Sequence, residues 1–198
     1  MNSYGFLALA MRQRLIKRWP LMHSSQPESV LEHSAVVGLL SMLVAQFAIG
    51  LGKQIDLGMM LSHALIHDAP EILTGDVITP VKHANPRILA EMREIEAGAE
   101  QQLLQTVPAE MQQFLAVAFG PGGYEQQLVK ACDTYAAFIK CKLEVAAGNS
   151  MEFGDALSRM VLSVNSLISQ YPEMAMLHET FGDAVGLSVD ALLNTSAA

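Results

Sequence analysis

Positive charge is scarce in this chain. Lysine and arginine number 12 among 198 residues against 20 aspartates and glutamates, for a formal net charge of −8. That balance argues against a broad nucleic-acid surface. A small phosphorylated ligand stays open, provided basic groups gather locally. Cysteine is almost missing. Cys132 and Cys141 stand nine positions apart, about 13 Å of rise on one helix and too far for a disulfide. Both read as reduced core residues, which suits a cytoplasmic compartment. Met1-Asn2-Ser3-Tyr4-Gly5-Phe6 lacks a charged n-region and a cleavage site, so no secretory signal is expected. The nearest approach to a membrane span, 34–51, is interrupted by Ser41, Gln46 and glycines; it is expected to be a buried helix, with no membrane partner. Repeats are lacking, and runs of strand-like alternation are scarce.

What is present is apolar sequence of helical length. The chain is 51% hydrophobic with mean hydropathy +0.28, enough for one domain over 1–198 to bury most of its apolar surface. Gly, Pro and Asn punctuate segments that read as an all-α helical bundle. Helices are expected over about 4–16, 30–49, 57–68, 86–105, 108–119, 124–147, 151–169 and 173–183, with a weaker tail beyond. Ser29 with Glu32 three residues later has capping-box spacing, and Asp56 is a candidate cap for the third helix. Pro70 breaks, kinks or restarts the helix after His67-Asp68, and Gly75 and Pro80 favour a polar loop.

The chemistry concentrates in a few polar residues set in apolar helices. His67-Asp68 ends the run Leu57 to Ile66, His33 lies in Leu31-Glu32-His33-Ser34, and Asp133 in Lys130-Ala131-Cys132-Asp133. Burying such groups unpaired costs several kcal/mol. Each alone reads as a satisfied core histidine or a solvated helix aspartate. Together they form H…HD…D, two imidazoles and two carboxylates from three helices, suited to one divalent ion among Mn, Fe, Co, Ni and Zn. Such a site lowers the pKa of a bound water and provides a nucleophile at neutral pH, which points to a metallohydrolase.

Other residues are placed less firmly by sequence. Glu71, three to four residues beyond the pair, is a general acid–base candidate if helix continues or restarts across Pro70. Asp76 either caps a turn or meets a substrate hydroxyl. Arg18 suits phosphate oxygens, and Trp19 could wall off a sugar or stack on a base. Lys82, with Lys17, is a second candidate for anion binding. His63 shares a face with His67 and is either an extra ligand or a packing residue. His83 and His178 are expected at the surface, and His23 could approach a substrate.

The arrangement resembles the HD-domain phosphohydrolases. Arg-Trp-Pro-Leu-Met (18–22), Glu-His-Ser (32–34), His-Asp-Ala-Pro-Glu-Ile-Leu-Thr-Gly-Asp (67–76), Thr-Pro-Val-Lys (79–82), Leu-Val-Lys-Ala-Cys-Asp (128–133) and Ala-Ala-Gly-Asn (146–149) are similar to the bacterial HD-domain 5′-deoxynucleotidases. The motifs define a core of about 18–149, followed by C-terminal helices over about 151–183 that carry no usable motif. The resemblance implies a homodimeric enzyme that uses cobalt, manganese or a similar divalent ion to hydrolyse deoxyribonucleoside 5′-monophosphates. It implies His33, His67, Asp68 and Asp133 as metal ligands and Arg18 on the phosphate. Trp19 would crowd the sugar 2′ position, Glu71 would assist the attacking water, and Asp76 would place the substrate. Three rivals remain at this point: an HD phosphohydrolase for another nucleotide or phosphate ester, a dinuclear HD oxygenase, and a regulatory module that keeps the metal only for folding.

Overall fold

The computed structural model describes residues 4–82 and 84–194. His83, expected at the surface, lies outside the described residues. The elements are α1 (Phe6–Ala10), a 3-10 turn (Met11–Leu15), α2 (Val30–Gly50), α3 (Leu57–Ile66), α4 (Glu71–Thr74), α5 (Thr79–Lys82), α6 (Pro86–Leu104), α7 (Ala109–Phe119), α8 (Gly123–Ala146), α9 (Ser150–Gln170), α10 (Pro172–Phe181) and α11 (Val189–Asn194). No strand occurs among the described residues beyond an isolated bridge between Lys17 and Ser29. The all-α expectation holds.

Local chemistry sets the helix starts. Ser29 accepts from Glu32 N while the Glu32 carboxylate takes the Ser29 N–H, a complete capping box at the head of α2. Asp56 accepts from Met59 N and opens α3. Along α2 the buried positions Val30, His33, Val37, Leu40, Val44 and Ala48 recur at three and four residues, the stripe that faces a core. α2 is long and apolar enough to cross a membrane by length and composition; half of its most apolar window is buried inside the fold. It packs against α3, α8 and α10, and α8 in turn lies along α9. Val37, Val44, Met60, Leu128, Tyr135 and Met174 fill the space between them. A second cluster around Leu103, Leu115 and Phe119 joins α6 and α7 to Ala69.

Four expectations are corrected. The first helix is broken: α1 gives way at Met11 to a 3-10 turn, where Leu7 and Leu15 are exposed and provide no buried stripe to extend it. α3 stops at Ile66, so His67 and Asp68 sit in the turn beyond it. Pro70 does restart helix, as the short α4; but 76–82 is not wholly loop, because Pro80 occupies the opening turn of α5, where a missing N–H costs nothing. His178 is not a surface group. Its Nδ1 meets the Tyr135 hydroxyl at 2.9 Å, and its ring packs on Tyr135 and Phe138.

Candidate functional site

The turn between α3 and α4 decides the geometry. His67 N–H donates to His63 O at 2.8 Å and closes α3, while Glu71 N–H reaches back to Asp68 O at 3.0 Å. The turn sets His67 beside Asp68 and leaves Glu71 close enough for the charge of Asp68 to act on it. The head of α2 contributes His33, fully buried, and the middle of α8 contributes Asp133. His33 Nε2 lies 2.9 Å from Asp133 Oδ1 and 3.8 Å from Asp68 Oδ2; His67 Nε2 lies 3.3 Å from that same Asp68 oxygen. Ligand-capable atoms of His33, His67 and Asp68 fall within 4.8 Å of one another. The structure thus brings the four sequence candidates together, with Asp133 attached through His33.

The donor set fits a divalent cation. His67 Nδ1–H donates to Ala64 O at 2.9 Å, which fixes the ring and turns Nε2 inward. That Nε2 is buried and faces Asp68 Oδ2 at 3.3 Å without good hydrogen-bond geometry, an arrangement that costs free energy unless something binds between them. Charge tells the same story. Burial alone would lower the His67 pKa, yet Asp68 and then Asp133 carry it up to about 9. Burial would raise Asp68, and His67, Arg18 and His33 hold it well below the usual carboxylate range. In the ion-free chain a proton on His67 stands where a cation's charge would go. His63 is not part of the cluster: its Nδ1 is bonded to Ala118 O at 2.9 Å, and burial lowers its pKa.

Arg18 reaches the cluster from the N-terminal segment. Backbone bonds from Arg18 N to Glu28 O (2.9 Å) and from Val30 N to Ile16 O (3.0 Å) tie residues 16–18 to 28–30. Arg18 Nη1 then donates to Asp68 Oδ2 at 3.1 Å. Glu28 Oε2 receives the Trp19 indole N–H at 3.2 Å and lies 3.3 Å from Arg18 Nε, so a single carboxylate oxygen braces both neighbours. Trp19 has φ 60°, a left-handed conformation costing roughly 1–2 kcal/mol for a side chain of this kind. Its ring rests on Phe153, centroids 5.6 Å apart. Glu28 carried no sequence signal, because a three-residue pairing is too short to show as alternation.

The loop beyond Trp19 is fastened from α8. The Glu144 carboxylate, 2% exposed, accepts from Ser25 N (2.8 Å), Ser25 Oγ (2.6 Å), Gln26 N (3.1 Å), Lys140 Nζ (2.5 Å) and Asn149 Nδ2 (2.8 Å). Asn149 also donates to His23 O at 2.8 Å. The Ala-Ala-Gly-Asn motif therefore works on the loop, not on the metal cluster. His23 itself is exposed and lies outside the cavity lining.

A cavity of about 740 Å3 opens beside the cluster, within the usual range for small-ligand sites. Arg18, Trp19, Asp76 and Asp133 line it, together with Arg159 and Met160 of α9. Of the C-terminal helices, silent as sequence, α9 thus builds one wall. Glu71 Oε2 is buried without a partner; burial first, then Asp68 and Asp76, push its pKa up to about 8. Burial also raises Asp76, against Arg18. Lys82 does not line the cavity. It pairs with Glu96 Oε1 at 2.5 Å and acts on Glu71 and Asp76 only through its charge. Lys17 is exposed and outside the lining.

A family model described as 5′-deoxynucleotidase YfbR-like matches residues 5–185. The chain belongs to this family. It is 38% identical, over an alignment of 201 residues, to 5′-deoxynucleotidase VP0926 of Vibrio parahaemolyticus, covering 97% of this chain and 100% of that protein. It is 36% identical over 200 residues to 5′-deoxynucleotidase YfbR of Escherichia coli, covering 99% of each. Among solved structures, an HD-domain phosphohydrolase from Listeria innocua matches with a TM-score of 0.78 at 21% identity, over 92% of this chain and 89% of that one. The cyanophage S-2L HD phosphohydrolase DatZ, bound to dA and one catalytic Zn2+ ion, matches with a TM-score of 0.59 at 23% identity, over 87% and 94%. These two likenesses concern the fold, which is that of the HD-domain phosphohydrolases.

Proposed function

We propose that this chain hydrolyses deoxyribonucleoside 5′-monophosphates to deoxynucleoside and phosphate. The observation that carries the reading is the approach of Arg18 to Asp68 at 3.1 Å: an anion-binding fork touches a metal-ready cluster at the mouth of a nucleotide-sized cavity. The near-full-length relatives that bear the 5′-deoxynucleotidase name support it.

His33, His67, Asp68 and Asp133 would hold one divalent ion, cobalt, manganese or a similar transition metal. When bound, the ion supplies Lewis acidity, lowering the pKa of a water and offsetting charge on the phosphoryl oxygens. The remaining work falls to side chains. Arg18 binds non-bridging phosphate oxygens and fixes phosphorus in line with the attacking water. As the water oxygen bonds to phosphorus the bond to the 5′ oxygen breaks, and the departing oxygen takes up a proton. Glu71 is the group to move that proton: its carboxyl keeps one up to about pH 8 in the ion-free chain. Added positive charge beside Asp68 brings it lower, towards the range where a carboxylate both accepts and returns a proton. Asp76 accepts from a sugar hydroxyl. Trp19, braced by Glu28 and Phe153, closes the space at the 2′ position. Lys82 contributes field, not contact.

We assign the enzyme to the cytoplasm, supported by two free buried cysteines, Cys132 and Cys141. We also infer a homodimer, supported by family resemblance and by the exposed apolar Leu39 and Met42 on α2; neither nucleic acid nor membrane is assigned as a partner.

A phosphate-release panel tests the function. Deoxyribonucleoside 5′-monophosphates should be hydrolysed in preference to ribonucleotides, nucleoside triphosphates and cyclic nucleotides. Turnover of the last two classes alone would reassign the substrate.

A further inference from the structure

Arg159 has no assigned task, and its position gives it one. α9 turns back along α8 after the Ala147–Asn149 bend, and Ala137, Ala156, Arg159 and Met160 line the cavity together. Ala137 is one helical turn, about 6 Å, along α8 from Asp133. Arg159 lines the cavity from α9, an element separate from the N-terminal segment that carries Arg18. Among the described residues its guanidinium makes no ion pair or hydrogen bond. Arg12, Arg14, Lys17, Arg93 and Lys130 are equally unpaired among the described residues, but of these cations only Arg159, itself exposed, lines the cavity. The surfaces next to it, Ala156 and Met160, are apolar and suit the face of a planar ring.

We propose that Arg159 reads the nucleobase and selects keto bases, guanine foremost. This role presupposes the deoxynucleotidase activity proposed above and follows from donor chemistry. A guanidinium carries five N–H donors in a planar fork and no acceptor. Guanine offers O6 and N7, two acceptors matched to that fork, and thymine offers O4. Adenine and cytosine place an exocyclic amino donor at the corresponding position. The fork therefore satisfies guanine twice and meets adenine with only one acceptor.

The test uses the metal-replete full chain. Rates of phosphate release from dGMP, dTMP, dAMP and dCMP are compared in wild type, Arg159→Ala and Arg159→Lys. The wild type should favour dGMP over dAMP in kcat/KM by roughly tenfold. Arg159→Ala should bring that ratio towards parity through loss on dGMP. Arg159→Lys, which keeps the charge without the fork, should fall between them. A wild-type ratio at parity, or a ratio unchanged in Arg159→Ala, overturns the proposal and leaves the deoxynucleotidase reading intact. Release from none of the four esters instead removes that reading. Fluorescence of Trp19, the one tryptophan of the chain and part of the same lining, then decides the role of Arg159 by itself. Titration should show deoxyguanosine binding more tightly than deoxyadenosine, with the difference lost in Arg159→Ala; equal binding in the wild type counts against it.

Discussion

Arg18 Nη1 and Asp68 Oδ2 are 3.1 Å apart, with side chains 15% and 21% exposed. An arginine in that position has its charge held by Asp68, Asp133, Glu28 and Glu71; burial opposes this, yet the guanidinium pKa is raised. It is thus a fixed cation whose direction, rather than its presence, matters. Arg18→Lys keeps a charge but loses the two-pronged geometry. It should lower kcat/KM for a deoxynucleotide by about 10- to 100-fold, the worth of one or two hydrogen bonds to a charged group, without changing the bound metal. Steady-state kinetics alongside elemental analysis checks both parts.

Glu71 should separate binding from chemistry. Glu71→Gln removes the titrating group while keeping its shape, so metal content should persist while kcat falls by roughly 10²- to 10⁴-fold. A stability consequence follows in the metal-free protein. The carboxyl has a folded pKa of about 8 against 4.5 for the free group. The native state then binds more protons than the unfolded chain between those values, so stability declines as pH rises through that window. Thermal melts of metal-stripped Glu71→Gln should show a flatter slope there than wild type.

Trp19 should govern sugar choice. Its ring is held between the Glu28 carboxylate and Phe153, so it cannot swing away from a 2′-hydroxyl without losing both. Trp19→Ala should narrow the deoxy-over-ribo ratio by about 10- to 100-fold, the discrimination expected of a pocket that rejects one added hydroxyl. Paired measurements on dAMP and AMP read it directly.

Glu144 anchors the loop that carries part of the cavity wall. Removing its carboxylate leaves Lys140, 7% exposed, without a counter-charge. Glu144→Ala should cost about 3–5 kcal/mol of stability, and urea denaturation measures it. Ser25 and Gln26 lose their acceptor in the same variant, so KM should rise more than kcat falls.

The sequence and the structure differ where contacts are long-range. His33, His67, Asp68 and Asp133 stood out because polar side chains in apolar helices demand a partner, and the structure draws them together. The capping box at Ser29 was legible because its spacing is local. Arg159 and Met160 were not, since a cavity wall formed by α9 has no spacing of its own along the chain. Glu28 escaped notice for the same reason: it meets Arg18 through a pairing of three residues. His178 misled because Glu179 and Thr180 follow it in sequence, whereas its neighbours in space are Tyr135 and Phe138.

The central claim is that His33, His67, Asp68 and Asp133 share one ion and that hydrolysis depends on it. The direct measurement is metal content and phosphate release from dGMP for the same preparations of wild type and Asp68→Asn, before and after chelation. The account predicts one divalent ion per wild-type chain, activity that disappears on chelation and returns with cobalt or manganese, and neither ion nor activity in Asp68→Asn. Full turnover by the chelated wild type, or by metal-free Asp68→Asn, would contradict it.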